Sequence, residues 1–220
     1  MDITGIVLAG GMSSRMGTNK AELLIEGQTV VQRIASEMSA VASRVIISAQ
    51  DTEAYAYTGL EVVADLHPRQ GPLAGLYAGM QASRTEWNLV CACDMPLLHA
   101  GVFRALAACI PEQADEEQLL KERPQSYEGA AKPLKAVVPT VNGRLQPLAA
   151  IYHISVLPAL EACLQQQNLR VQDWLKGMHV YEISSSPTYG WDPKEAEQLF
   201  MNMNRPEDYI QVCRLLSREE

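Results

Sequence analysis

Short apolar runs alternate with longer amphipathic segments along the first half of the chain. The runs are rich in Val, Ile, Leu, Ala or Cys and are typical of buried strands; they span residues 3–9, 44–48, 60–65 and 88–93. Between them apolar residues recur at helical spacing, which predicts helices over 29–43, from Pro72 onward, and over about 99–110. Strands that alternate with helices are typical of an α/β fold with a mostly parallel sheet covered on both faces. We therefore predict a three-layer α/β/α sandwich with a mostly parallel central sheet, whose ligands bind at the carboxyl ends of the strands.

The second half of the chain has a different pattern. Residues 111–134 are rich in Glu, Gln, Lys, Pro and Ser and lose all periodicity, which predicts an exposed loop. Beyond it, Asn142-Gly143 is a strong hairpin signal between the apolar runs 135–141 and 144–151, so a short antiparallel element is expected there. The remaining pattern predicts helices over 154–167 and 171–176, a strand over 179–184 and a closing helix over 206–217. We expect these elements to form a single domain over 1–220.

Composition excludes several classes of protein. The net charge of −8 disfavours a nucleic-acid partner, and no apolar run approaches the roughly 20 residues that span a bilayer. The first residues lack the basic segment and small-residue cleavage site of a secretory signal, so we expect a cytoplasmic protein. The five cysteines are odd in number and scattered, which favours reduced, buried thiols over disulfides or a zinc site.

The most distinctive segment, LAGGMSSRMGTNK at residues 8–20, follows the first predicted strand. Gly10 and Gly11 allow a sharp backbone turn in which successive N–H groups face one anion. Further donors in the segment are two hydroxyls and two cations, on Ser13, Ser14, Arg15 and Lys20. The segment therefore predicts a binding site for a polyanion such as a chain of phosphates.

Two common phosphate-binding loops do not fit this segment. A P-loop needs Gly-Lys followed by Ser or Thr, whereas here Gly17 is separated from Lys20 and Ala21 comes next. The dinucleotide fingerprint does not fit either, because residues 10–15, Gly-Gly-Met-Ser-Ser-Arg, lack its third glycine. The loop therefore belongs to another class of phosphate site.

Two carboxylates are predicted to lie at the same edge of the sheet. Asp94 follows the run 88–93, and its carboxylate suits Mg²⁺, which takes one or two carboxylates together with phosphates and water. A simple helix-capping role is the alternative for Asp94. Asp65 ends another strand, where it is either a turn residue or a ligand contact.

Several motifs resemble those of a known family. LAGG-x-S-x-R-M-G-x-x-K is similar to the signature of nucleotidyltransferases with a Rossmann-like fold, and the chain matches it at every fixed position. Later segments are similar to those of molybdenum cofactor guanylyltransferases: D-x₅-G-P-L-A-G at 65–75, C-D-M-P-L at 93–97, R-x-Q-P-L at 144–148 and N-x-N-x-P-E-D at 202–208. The resemblance implies transfer of GMP from GTP to the molybdopterin cofactor, with Mg²⁺ as the metal cofactor. It also implies a nucleotide-binding half at about 1–110 and an acceptor-binding half at about 135–220.

The same resemblance implies roles for individual residues. The implied nucleotide contacts are Leu8, Ala9, Gly10, Gly11, Ser13, Lys20, Gln50, Asp65, Gly71 and Asp94, with Asp51 as an alternative to Gln50. The implied catalytic residues are Arg15, Lys20 and Asp94, and Asp94 is also the implied metal ligand. The implied acceptor contacts are Gln146, Asn202 and Asn204. Asp65 could accept hydrogen bonds from the N1–H and N2–H₂ edge of guanine, which cytosine does not offer. Asn204 also fits the simpler role of N-cap of the closing helix.

Two other functions remain open. One is nucleotidyl transfer to another acceptor, such as cytidylyl transfer to molybdopterin or to a sugar phosphate. The other is a non-catalytic module that presents the cofactor, although such a module would not need the glycine loop, Lys20 and Asp94 together. The expected partners are GTP and the molybdopterin cofactor, with transient contacts to cofactor-synthesis proteins or apo-molybdoenzymes, and neither nucleic acid nor a membrane.

Overall fold

The apolar runs form the strands of a mixed sheet. The computed structural model describes residues 1–10, 19–65, 67, 70–111, 133–184 and 191–217. In chain order the strands are β1 (Ile3–Leu8), β2 (Leu24–Ile25), β3 (Gln28–Thr29), β4 (Arg44–Ala49), β5 (Glu61–Ala64), β6 (Trp87–Ala92), β7 (Ala136–Val141), β8 (Arg144–Leu145), β9 (Ala149–His153) and β10 (Val180–Ser184). Strands β1, β4, β5 and β6 match the four predicted runs to within one residue at each end.

Helices connect the strands as the periodicity predicts. They are α1 (Val30–Ser39), α2 (Pro72–Ala82), α3 (Ala100–Ala108), α4 (Leu157–Gln165), α5 (Val171–Leu175), α6 (Pro193–Leu199) and α7 (Pro206–Leu216). Helix α1 starts where predicted, at the N-cap Thr29, but it ends at Ser39 rather than at residue 43. It ends early because the N–H of Ser43 donates to the carbonyl of Ile3 at 3.0 Å, which draws this segment toward β1.

The second half contains the predicted antiparallel element, with one break. Strand β7 pairs with β8 across the Asn142-Gly143 turn, in which both residues have a positive φ, 49° and 70°. The run predicted as one strand over 144–151 is divided into β8 and β9. Pro147 has no N–H for a ladder, and the N–H of Gln146 donates to the carbonyl of Pro139 at 2.8 Å. The chain therefore turns at 146–148 before β9 begins.

The sheet is mostly parallel. Its strand order is β10-β7-β9-β6-β1-β4-β5. The short strand β8 pairs with the C-terminal end of β7. Neighbours are parallel except where β9 meets β6 and β7, and where β8 meets β7. The carboxyl ends of β1, β4, β5 and β6 therefore meet at one edge of the sheet.

Helices pack on both faces of this sheet, as predicted. A Cβ placed on Gly5 of β1 would meet Met38 of α1, whereas the side chain of the next residue, Ile6, contacts Gly79 of α2. Successive residues of a strand point to opposite faces, so α1 and α2 cover opposite sides. The close approach of α2 to β1 requires the missing side chain of Gly79.

Some elements were not predicted from the pattern. They are the β2–β3 hairpin, the 3₁₀ helices Lys20–Glu22 and Glu53–Thr58, and helix α6. All are too short or too polar to show a periodicity. Residues 112–132, which make up most of the loop predicted at 111–134, lie outside the described residues. Within the part of the chain that the structure describes, no helix is long and apolar enough to cross a membrane.

Candidate active site

A cavity of about 600 Å³, here called the main cavity, lies at the carboxyl ends of the parallel strands. The described residues that the sequence predicted as nucleotide contacts all line it: Leu8, Ala9, Gly10, Lys20, Gln50, Asp65, Gly71 and Asp94. Ends of parallel strands meet at one edge of a sheet, so residues far apart in the sequence converge there. Gly11, Ser13 and Arg15 lie outside the described residues, and their roles stay predictions.

Lys20, which lines the main cavity, contacts the C-terminal part of the chain. Its Nζ donates to the side-chain oxygen of Asn204 at 2.6 Å, although 184 residues separate the two. Lys20 begins a 3₁₀ helix that Asn19 caps, because the Asn19 side-chain oxygen accepts from the N–H of Ala21 at 3.1 Å. Asn19 therefore holds the backbone at the start of this 3₁₀ helix, and Asn204 holds the Lys20 ammonium.

Asp94 is held by the same C-terminal segment. With its amide nitrogen facing the carboxylate, Asn202 donates to the two Asp94 oxygens at 3.3 and 3.0 Å. The backbone N–H of Met203 donates to the Asp94 carbonyl at 2.7 Å. Residues 202–204 therefore contact both the predicted metal carboxylate and the predicted phosphate-binding lysine.

The Asp94 carboxyl is mostly buried. Burial raises its pKa above that of an ordinary Asp, while the positive charge of Lys20 acts in the opposite direction. Because burial disfavours the negative charge of this carboxylate, a further cation at the site would stabilise its ionised form. Within the described ranges, no three His, Cys, Asp or Glu side chains are grouped so that they could hold a metal ion.

Asp65 and Gly71 form the wall of the main cavity beside β5 and α2. One Asp65 oxygen accepts from the N–H of His67 at 2.8 Å, so the residue also has the turn role considered from the sequence. Gly71 adopts φ 70° and ψ −161°, a conformation that is essentially restricted to glycine, and it is the N-cap of α2. Glycine is therefore required there by the backbone.

The structure distinguishes the two alternatives after β4. Gln50 is exposed and lines the main cavity. Asp51 accepts from the N–H groups of Glu53 and Ala54 at 3.0 and 3.3 Å, so it caps the following 3₁₀ helix. Of the two, Gln50 is the one that faces the cavity.

Ser48 is a cavity residue that the sequence reasoning missed. It lines the main cavity and is 1% exposed, and its buried hydroxyl has no hydrogen-bond partner among the described residues. It lies in an otherwise apolar strand, so the strand pattern alone did not mark it. A buried hydroxyl without a partner is costly unless a ligand pairs with it.

A second cavity, of about 500 Å³, adjoins the first. Leu148 lines both cavities, and Gln146 and Asn202 line the second. Its charged residues are Arg170, Asp173 and Lys176. Lys176 pairs with Asp173 at 2.6 Å and lowers the pKa of that carboxyl. Arg170 and Lys176 were not predicted as site residues because helix α5 shows no motif.

The prediction that Asn204 caps the closing helix is wrong. The N-cap of α7 is Arg205, and no side chain of that residue or of Asn204 caps the helix. The Asp208 carboxylate instead accepts from the N–H groups of Asn204 and Arg205, both at 2.8 Å. The Asn204 side chain is thereby left to contact Lys20.

Curated relatives match nearly the whole chain. A probable molybdenum cofactor guanylyltransferase from Bacillus cereus is 33% identical over 220 residues, covering 98% of each chain. One from Carboxydothermus hydrogenoformans is 29% identical, covering 100% of this chain and 99% of the relative.

A solved structure has the same fold. The crystal structure of molybdopterin-guanine dinucleotide biosynthesis protein A from Archaeoglobus fulgidus matches with a TM-score of 0.73, at 21% identity, over 98% of this chain and 99% of that one. Such low identity supports the fold alone. The model of the MobA-like NTP transferase domain matches residues 5–180, which include most of β1, Lys20, Asp94 and most of the sheet. The chain belongs to the MobA-like NTP transferase family.

Proposed function

We propose that this protein transfers GMP from GTP to the molybdopterin cofactor, giving the guanine dinucleotide cofactor and pyrophosphate. The observation that carries the proposal is the meeting of Lys20 and Asp94 with Asn202 and Asn204 at the border of two adjoining cavities. One cavity would hold the nucleotide and the other the acceptor. The relatives of similar length, which are named as probable guanylyltransferases, support this choice of substrates.

The reaction would need little covalent chemistry from the protein. A terminal phosphate oxygen of the acceptor attacks the α-phosphorus of GTP in line, and the bond from that phosphorus to the bridging oxygen of the β-phosphate breaks. The nucleophile is already an anion, so no strong general base is required, and positioning and charge neutralisation carry the rate. Lys20 and Arg15 would offset charge on the triphosphate, and the N–H groups of Gly10 and Gly11 would donate to it.

The donor set fits Mg²⁺. Asp94 offers a hard oxygen ligand at the cavity wall, and its buried carboxyl has a raised pKa that a nearby cation would lower. Bound Mg²⁺ would stabilise the negative charge that develops on the phosphates. Asp94 would hold the metal, and Asn202 would orient Asp94.

Recognition of guanine would depend on the wall formed by Asp65, Gly71 and Ser48. A carboxylate oxygen of Asp65 can accept from the guanine edge, and Ser48, which lines the same cavity, has a buried hydroxyl without a partner among the described residues. A site whose buried polar groups pair with one base rejects a base that leaves them unpaired.

The second cavity suits an anionic acceptor. Arg170 remains as positive charge beside the paired Lys176 and Asp173, and Gln146 and Asn202 add amide groups that can donate or accept. The two halves would act as one domain, since β9 of the acceptor half pairs with β6 of the nucleotide half.

The test is transfer by purified protein from GTP, CTP or ATP, each labelled at the α-phosphate, to molybdopterin in the presence of Mg²⁺. We expect product from GTP, a loss of base preference in Asp65→Ala, and no transfer by a folded Asp94→Ala variant. Equal turnover of CTP and GTP by the wild type would refute the proposed base, and wild-type turnover by Asp94→Ala would refute the proposed site. Binding of molybdopterin without any transfer would favour a cofactor-presenting module.

A further inference from the structure

Tyr55 joins Ala9 and Asn19, which lie near the two ends of the glycine-rich segment at residues 8–20. Its hydroxyl donates to the carbonyl of Ala9 at 3.0 Å and accepts from the Asn19 side-chain nitrogen at 2.8 Å. Ala9 directly precedes Gly10, and Asn19 directly precedes Lys20. One side chain therefore connects both ends of the segment that was predicted to bind phosphates.

The surroundings of Tyr55 make this connection rigid. The residue is 2% exposed and lies in the 3₁₀ helix Glu53–Thr58, which follows β4. Burial raises the pKa of its hydroxyl to about 12, so the group keeps its proton and remains a donor at neutral pH. The Asn19 amide is itself held, because its oxygen accepts from the N–H of Ala21 at 3.1 Å.

Both ends of the bridge touch the main cavity. Ala9, Asn19 and Lys20 line it, whereas Tyr55 lies behind the wall. A backbone carbonyl and a side-chain amide that lose a buried partner are free to seek other partners, and the distance between Ala9 and Asn19 is then no longer fixed. A phosphate site gains affinity when its donors are arranged before the ligand arrives.

We propose that Tyr55 is a positioning residue for the nucleotide triphosphate: its hydroxyl fixes Ala9, beside Gly10, and, through Asn19, the start of the 3₁₀ helix that carries Lys20. The proposal rests on the proposed function in that the ligand is a nucleoside triphosphate. It concerns the phosphates and not the base. Tyr55 itself touches neither substrate.

The principal variant is Tyr55→Phe, which keeps the ring and removes the hydroxyl. We expect the dissociation constant of GTP, measured by calorimetry without acceptor, to rise about five- to tenfold. The KM for GTP should rise with it, while the KM for molybdopterin stays unchanged. Partial unfolding would lower the binding stoichiometry and kcat rather than weaken the binding of the folded fraction.

Two matched controls separate positioning from stability. Tyr57 lies in the same 3₁₀ helix, is 50% exposed, and donates to the Thr29 hydroxyl at 3.1 Å. Tyr152 is buried and donates to the carbonyl of Pro147 at 2.7 Å, away from the glycine-rich segment. We expect Tyr57→Phe to change little, and Tyr152→Phe to lower the melting temperature while GTP affinity stays within about twofold of wild type.

Asn19→Ala tests the bridge without altering Tyr55. It also removes the cap that Asn19 gives to the N–H of Ala21, so it should weaken GTP binding at least as much as Tyr55→Phe does. The double variant Tyr55→Phe, Asn19→Ala should bind GTP no more weakly than Asn19→Ala alone, because either change breaks the link between Ala9 and Asn19. Wild-type GTP affinity in Tyr55→Phe, or additive effects in the double variant, would overturn the proposal. If the wild type prefers CTP, the proposed base is wrong, and the same comparison made with CTP decides the role of Tyr55.

Discussion

Replacement of Asn204 with alanine separates a functional contact from a structural one. The Asn204 side-chain oxygen accepts from Lys20 Nζ at 2.6 Å, whereas its backbone N–H donates to Asp208 at 2.8 Å. Alanine keeps that N–H and hence the cap of α7, so stability should change by less than about 0.5 kcal/mol. Without this acceptor the Lys20 ammonium is no longer held in place, and we expect kcat/KM for GTP to fall two- to tenfold, a loss of about 0.5–1.5 kcal/mol of transition-state stabilisation.

Asp208→Ala is the matched control for that variant. It removes the acceptor of two N–H groups at the start of α7 and should lower the free energy of unfolding by about 1 kcal/mol, with the Lys20 contact retained. Urea unfolding and steady-state kinetics on both variants give the comparison. In a Lys20→Ala background, Asn204→Ala should have no further effect on kcat/KM. If Asn204→Ala loses stability as Asp208→Ala does while kcat/KM stays at the wild-type value, the contact with Lys20 has no functional role.

Two further predictions concern the buried carboxylate and the glycines of α2. Asp94→Asn should abolish transfer yet raise the melting temperature at neutral pH, because burial raises the pKa of the Asp94 carboxyl. Between the ordinary value of 3.8 and the raised pKa, the folded chain keeps a proton that the unfolded chain has lost, so wild-type stability falls as pH rises through that window. The advantage of Asn should therefore vanish as the pH is lowered below that window, and a difference in melting temperature that is independent of pH would contradict the reasoning. Gly79→Ala should cost about 1–3 kcal/mol in urea unfolding, because its Cβ would overlap Ile6 Cγ2. Gly75→Ala, whose Cβ would lie 3.3 Å from the Ser48 hydroxyl, should cost less, and equal losses would show that the overlap with Ile6 is not the cause.

Much of the fold and part of the site could be predicted from local patterns. The runs that became β1, β4 and β6 are buried along almost their whole length, and strands that are buried on both faces appear in a sequence as continuous apolar segments. Asp94 could be placed at the sheet edge because a polar residue after a buried strand must leave the core. The end of α1 and the break between β8 and β9 were mispredicted because hydrogen bonds from Ser43 and Gln146 to distant carbonyls determine them.

What the sequence by itself determined was the type of each long element, the existence of a glycine-rich phosphate segment and the residue types that could serve it. What only the tertiary structure decided was which of these residues meet. The local pattern around Asn204 favours a helix cap, yet its side chain contacts Lys20, 184 residues away. Neither Ser48 nor Tyr55 belongs to a sequence motif. Ser48 is identified only because it lines the main cavity, and Tyr55 only because its hydroxyl contacts Ala9 and Asn19. Periodicity records which face of an element is buried, whereas the partners of a side chain depend on how the whole chain packs, and no local segment contains that information.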